Sequence, residues 1–203
     1  MSASVETPGE VDSRLNEFWV GNPWKIFQEH NLSCFERNRL YMNVRGRGFL
    51  DVSHVSGADN DGDSRSAIAA DVNHDGRLDL ILRQSGGGPL VVYENQVPSG
   101  HYLEVNLKAT RGHPSAIGAR VIARVGGRQI VRECYPQNAL RSQAPLPIHL
   151  GLGESETVDE LEIHWPSGQV EVFRELAGDR RITVTQGQPL AQHASDTGTP
   201  QVQ

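Results

Sequence analysis

Ala119-Arg120-Val121-Ile122-Ala123-Arg124-Val125-Gly126-Gly127-Arg128-Gln129-Ile130-Val131-Arg132-Glu133 is the stretch that decides the fold. Two short runs rich in β-branched residues flank a Gly-Gly pair. Glycine takes positive φ at both central positions of a two-residue hairpin turn without strain. The reading is an antiparallel pair, 119–125 and 129–133, turning at Gly126-Gly127. The same texture extends in both directions from here. From Asn38 onward, short apolar runs alternate with Gly, Asp, Asn and Pro clusters. Strands are predicted at 40–44, 49–52, 67–70, 78–82 and 90–94. After a break at Pro98-Ser99-Gly100 they resume at 102–107, 119–125, 129–133, 148–150, 158–165, 170–173 and 182–185. Pro166-Ser167-Gly168 closes another tight turn, and Trp165 before it reads as packing at the sheet. This spacing suits a sandwich or barrel and not βαβ units. The expected fold class is all-β, with an antiparallel, β-sandwich-like C-terminal domain.

One short helix is predicted, with Asn22 as N-cap, Pro23 at the first helical position and a body over 24–30. It lies in an aromatic segment holding Phe18, Trp19, Trp24, Phe27 and Phe35, which reads as core packing or capping. The expected organisation is a flexible lead and aromatic segment at 1–37, a loop-rich acidic unit at 38–97 and a regular β domain at 98–187. The Gln/Thr/Ser/Pro-rich tail at 188–203 is expected to be disordered.

Bulk properties narrow the function classes. With 203 residues the chain can bury a core without disulfide staples, yet is short for a TIM barrel. A net charge of −6 with scattered arginines argues against nucleic-acid binding. No apolar run approaches the roughly 18 residues of a membrane helix. Cys34 and Cys134 supply neither a disulfide framework nor a zinc site, and leave a single bridge between them open. Residues 1–12 are polar and acidic, without the basic and apolar regions of a secretory signal.

Seven of the 25 acidic residues fall between Asp51 and Asp79, which points to a local role. Asp71-Val72-Asn73-His74-Asp75-Gly76-Arg77-Leu78-Asp79 places side-chain oxygens at positions 1, 3, 5 and 9 and glycine at position 6. The Arg77 carbonyl would supply position 7. A hard cation takes six to eight oxygens at about 2.3–2.6 Å, and this spacing curls a short loop around one ion. The expected ligands of a calcium ion are therefore Asp71, Asn73, Asp75, the Arg77 carbonyl and Asp79. The loop is not an EF-hand, because position 12 is Leu82 and a strand follows. Upstream, Asp59, Asp61 and Asp63 form a second cluster that holds another cation, completes the first site or is neutralised by Arg65.

No H-E-x-x-H, G-x-S-x-G, Walker loop or helix-opening G-x-G-x-x-G is present. Ser115 with His113, and Ser142 with His149, are imaginable nucleophile–base pairs, but ordinary surface or packed histidines are the favoured reading. Glu133, Asp159 and Glu162 read as a solvated strand face. The expectation is a non-enzymatic, calcium-binding module for a protein or glycan partner. The alternative is a small calcium-dependent β-type enzyme, a hydrolase or cyclase.

Two stretches carry family resemblances. Asn38-Arg39-Leu40-Tyr41-Met42-Asn43, Phe49-Leu50-Asp51-Val52, the 71–79 loop and Leu90-Val91-Val92-Tyr93-Glu94-Asn95 resemble an FG-GAP/VCBS-type repeat. That resemblance implies a partial β-propeller blade with a calcium loop between strands. Ala116-Ile117-Gly118-Ala119-Arg120-Val121, Gly127, Val131-Arg132-Glu133, Ser142-Gln143, His149-Leu150-Gly151-Leu152-Gly153, Val158-Asp159, Trp165-Pro166-Ser167-Gly168, Ile182-Thr183-Val184 and Gly187 resemble an ASPIC/UnbV domain, as in cartilage acidic protein. The resemblance implies an extracytoplasmic setting and the C-terminal part of a larger multi-repeat exported protein. A lone blade cannot bury both faces of its sheet.

Overall fold

The computed structural model describes residues 37–190 apart from 45, 63, 85–88, 99 and 138–141. The predicted helix at 24–30, the aromatic segment, Asp63, Cys34 and the tail beyond 190 lie outside the described residues.

The described residues form twelve strands and no helix. They are β1 (Tyr41–Asn43), β2 (Phe49–Asp51), β3 (Ser64–Ala70), β4 (Asp79–Gln84), β5 (Leu90–Tyr93), β6 (His101–Lys108), β7 (Arg120–Val125), β8 (Arg128–Glu133), β9 (Ile148–Gly153), β10 (Thr157–His164), β11 (Val170–Ala177) and β12 (Arg180–Thr185). Each falls on a segment read as a strand from sequence. The chain divides into two units. The first holds β1 to β5 and Ser142; the second holds the loop at 70–78 and everything described from Asn95 onward, Ser142 apart.

In the first unit, β1 and β2 form a two-stranded antiparallel hairpin, and β3, β4 and β5 form a separate sheet in that order. Tyr41, Met42, Phe49 and Leu50 of the hairpin are exposed. The buried apolar side chains described in this unit are Ala58 and Leu82.

The second unit carries the large core. A four-stranded sheet, β11-β10-β7-β8, faces a three-stranded sheet, β12-β6-β9. Strand alternation explains the arrangement, since successive side chains point to opposite faces. On β6, Leu103, Val105 and Leu107 turn inward, while Tyr102, Glu104 and Asn106 fall on the other face. Val121, Ala123 and Val125 of β7 and Leu161 and Ile163 of β10 meet them, with Leu150 and Leu152 of β9 and Val184 of β12. Trp165 joins this core and donates its indole N–H to Glu171 at 2.5 Å. The Gly-Gly turn has the expected geometry, with φ +52° at Gly126 and +75° at Gly127.

One ladder departs from the antiparallel expectation. β12 pairs with β6 in parallel, Ile182 opposite Val105 and Val184 opposite Leu107. The reason is the corner at Gly178-Asp179. Gly178 donates to the Glu156 carbonyl at 2.7 Å and Asp179 to the Tyr102 carbonyl at 2.6 Å. The chain therefore changes sheets and does not fold back on β11, so β12 runs alongside β6.

Leu161→Ala is expected to lower stability by about 2–5 kcal/mol, from lost transfer energy and a residual cavity. Leu50→Ala on the exposed hairpin is expected to change it by no more than about 0.5 kcal/mol. Equilibrium urea unfolding of the two variants checks the contrast.

Candidate metal centre

The 71–79 loop connects β3 to β4. Asp71 organises it: Oδ1 accepts the Asp75 N–H at 3.1 Å and Oδ2 the Gly76 N–H at 3.0 Å. Asn73 Oδ1 accepts the Asp75 N–H at 3.2 Å, and Asp75 Oδ1 accepts the Arg77 N–H at 2.9 Å. Asp75 Oδ2 accepts from Asn73 Nδ2 at 2.9 Å and carries the Arg77 guanidinium. These bonds turn three oxygen-bearing side chains into one small loop. The turn needs left-handed backbone at His74 (φ +61°) and Gly76 (φ +85°). The Arg77 N–H, first among the causes, holds the Asp75 carboxyl below the usual range; the Asn73 amide and Arg77 charge add to it against partial burial.

Asp71, Asn73, Asp75 and the Arg77 carbonyl offer two carboxylates, an amide oxygen and one backbone carbonyl, the oxygen chemistry that a hard cation takes. Among the described residues, however, no three His, Cys, Asp or Glu side chains converge as a ready metal cluster. Asp79 is the first residue of β4 and is buried at 2% exposure. It belongs to the first unit, whereas Asp71, Asn73, Asp75 and Arg77 belong to the second.

The loop sits on the outer face of the β12-β6-β9 sheet. His149 on β9 bonds the Gly76 carbonyl through Nε2 at 2.9 Å. A carbonyl only accepts, so Nε2 carries the proton. The imidazole stacks on Tyr102, with centroids 5.6 Å apart and planes 1° from parallel. A Cβ on Gly76 would stand 2.2 Å from Tyr102 Cε1, so glycine is required for the loop to seat. Arg181 on β12 donates from Nη2 to His74 Nδ1 at 3.4 Å and to Glu104 Oε2 at 2.9 Å. Its Nε lies 2.5 Å from Glu104 Oε1 but off the hydrogen-bond direction, which leaves that buried oxygen held by charge alone. The Glu104 hydrogen bond, first, and the Glu104 and Asp71 charges raise the Arg181 pKa. Burial, followed by the Asp71, Asp179 and Glu104 charges, pushes the Tyr102 phenol up.

The second acidic cluster has a different character. Asp59 pairs with Arg37 at 2.8 Å and bonds His54 Nδ1 at 3.3 Å. Its carboxyl is held low, by the His54 bond first and then by Arg37. Asn60, between the two aspartates, accepts from the Gly62 N–H and Gln84 Nε2, both at 2.7 Å. Asp61 is exposed.

The imagined nucleophile–base pairs make other bonds than a hydroxyl–imidazole one. His113 Nδ1 accepts the Ser115 backbone N–H at 3.3 Å, and the Ser142 hydroxyl bonds Ser66. His149 is committed to Gly76. Asp159 accepts the Gly126 N–H at 2.9 Å, and Glu162 bonds His164 at 2.5 Å on the sheet face. Cys134 is buried and free, with its thiol directed to the Ser115 carbonyl at 3.4 Å. Burial raises its pKa. No described helix is long and apolar enough to cross a membrane.

Residues 109–191 match the family model for ASPIC and UnbV, a β-rich module of larger proteins. The match covers β7 to β12 and begins immediately after β6, the central strand of the smaller sheet. No curated protein matches the chain.

His101 bonds Asp179 through Nδ1 at 2.6 Å, and this bond, with the Asp179 and Glu156 charges, raises the imidazole pKa. A raised folded-state pKa contributes stability that is fully present below the unfolded value of about 6.5 and is lost as pH rises through the folded value. Asp179→Asn is expected to lower the His101 pKa, read from the imidazole proton shifts in an NMR pH titration.

Proposed function

We propose that the chain is a non-enzymatic, calcium-binding β module that acts in binding or assembly with a protein or glycan partner. The observation that carries this reading is the Asx-turn architecture of the 71–79 loop. Asp71, Asn73 and Asp75 each accept a loop N–H, which ties these three oxygen-bearing side chains into one turn. Asp71, Asn73, Asp75 and the Arg77 carbonyl would hold the ion, while Asp79, the remaining residue of the expected set, is buried at the start of β4. In that arrangement Arg77 releases the Asp75 carboxylate while its backbone remains a donor. The ion would supply fixed positive charge that offsets repulsion among the carboxylates. What the chain contributes is a loop ordered on a rigid sheet and able to present a defined surface.

The ASPIC/UnbV match and the β-sandwich support a module within a larger, repeat-bearing assembly, with the β1–β5 unit as an FG-GAP/VCBS-like partial blade. The exposed Met42 and Leu50, cross-strand partners on one face of the β1–β2 hairpin, with Tyr41 and Phe49 exposed on the other, support a role in contact with other chains.

Calcium titration followed by thermal melting tests the reading. At about 100 times Kd, ligand binding adds about 2.7 kcal/mol, so the melting temperature is expected to rise by several degrees. Asp75→Ala is expected to lose that rise. No shift in the wild-type chain, or an equal shift in the variant, overturns the proposal.

A further inference from the structure

We propose that His149 is a positioning residue for the ion loop, which sets the loop's affinity for the cation by holding the Gly76–Arg77 peptide. The inference rests on the calcium reading above and adds to it a residue that supplies no ligand. The peptide is gripped at both ends. Its carbonyl accepts from His149 Nε2 at 2.9 Å, and its N–H donates to Asp75 Oδ1, also at 2.9 Å. The Gly76 N–H, on the peptide before it, donates to Asp71 Oδ2 at 3.0 Å. A continuous chain of bonds therefore runs from the imidazole through one peptide group to the Asp75 carboxylate. Hydrogen bonds in such a chain polarise one another, so a donor on the carbonyl strengthens the N–H beyond it.

The residue that would offer its carbonyl to the ion is held on its other side as well. Arg77 Nε donates to the Asn95 carbonyl at 2.6 Å, and Asn95 Nδ2 donates to the Leu78 carbonyl at 3.2 Å. The Arg77–Leu78 peptide thus lies between two anchored points, and His149 is the anchor that the sheet supplies. It is a fixed one. It stands on β9 opposite Glu104 of β6, and its ring stacks on Tyr102, the ring that the Gly76 backbone meets. Loop, Asn95, Tyr102 and His149 all belong to the second unit. A loop whose ligand-bearing peptides are already oriented loses less conformational freedom on binding. Groups that orient metal ligands without touching the metal typically change its affinity by about 10- to 100-fold. The coupling is reciprocal: what the His149 bond adds to ion affinity, the bound ion adds to the His149 bond.

Calcium titration calorimetry on the full chain and two variants tests the inference. His149→Phe keeps an aromatic ring on Tyr102 and removes the donor to Gly76. It is expected to weaken calcium binding by about tenfold or more, with the sandwich still folded by near-UV circular dichroism. His149→Gln returns an N–H donor at similar reach and is expected to recover most of the lost affinity. A second measurement needs no variant: exchange of the His149 Nε2 proton with water, followed by NMR in the wild-type chain, is expected to slow when calcium is added. A wild-type chain that takes up no calcium overturns the calcium reading and this inference with it. A wild-type chain that binds calcium, beside a folded His149→Phe chain that binds as tightly, overturns the role of His149 alone. So does a His149→Gln chain as weak as His149→Phe, or an Nε2 exchange rate that calcium leaves unchanged.

Discussion

The two faces of β6 constrain everything in the second unit. Its alternation sends Leu103, Val105 and Leu107 into the sandwich and leaves Tyr102 and Glu104 to the opposite side. The inward face closes the apolar core against β7 and β10, and burial of that area is the main favourable contribution to folding. The outward face carries Tyr102, Glu104 and Asn106. It is covered by the 71–78 loop, whose backbone approaches the Tyr102 ring closely enough that only glycine fits at position 76. A change of register by one residue on β6 would exchange these two faces and remove both the core and the loop's seat.

The family match acquires a physical meaning here. It spans β7 to β12, yet the smaller sheet of the sandwich needs β6, which pairs with β12 on one side and β9 on the other. The unit that folds around this core therefore starts upstream of the matched residues. It also includes the loop at 70–78, which the chain reaches before β4 and β5 and which lies well away in sequence from the strands it covers.

Much of the strand pattern was legible in the sequence because the signals are local. Gly126-Gly127 and Pro166-Ser167-Gly168 mark turns, and the alternation in β6, β7 and β10 marks half-buried strands. The parallel β12–β6 ladder was not legible, because pairing partners far apart in sequence leave no local trace. The acidic loop was legible through its oxygen spacing and the glycine at its turn. Its seat was not. Tyr102, Glu104, His149 and Arg181 come from three strands and meet only through sheet register; their polar character alone reads as an ordinary solvated face. The burial of Asp79 and the Arg37 partner of Asp59 also arise from tertiary placement. The Gly76–Tyr102 approach had one sequence signal, glycine at position 6, but the turn explains that residue on its own.

The central claim is a hard-cation site in the 71–79 loop, seated on Tyr102. Sensitised terbium luminescence tests it most directly, because a lanthanide takes the same oxygen ligands as calcium and is excited only by a nearby aromatic ring. With excitation in the tyrosine band, the account predicts terbium emission that saturates, is displaced by calcium, disappears in Asp75→Ala and falls sharply in Tyr102→Phe. An absence of saturable emission, or emission that Tyr102→Phe and Asp75→Ala leave unchanged, would contradict it.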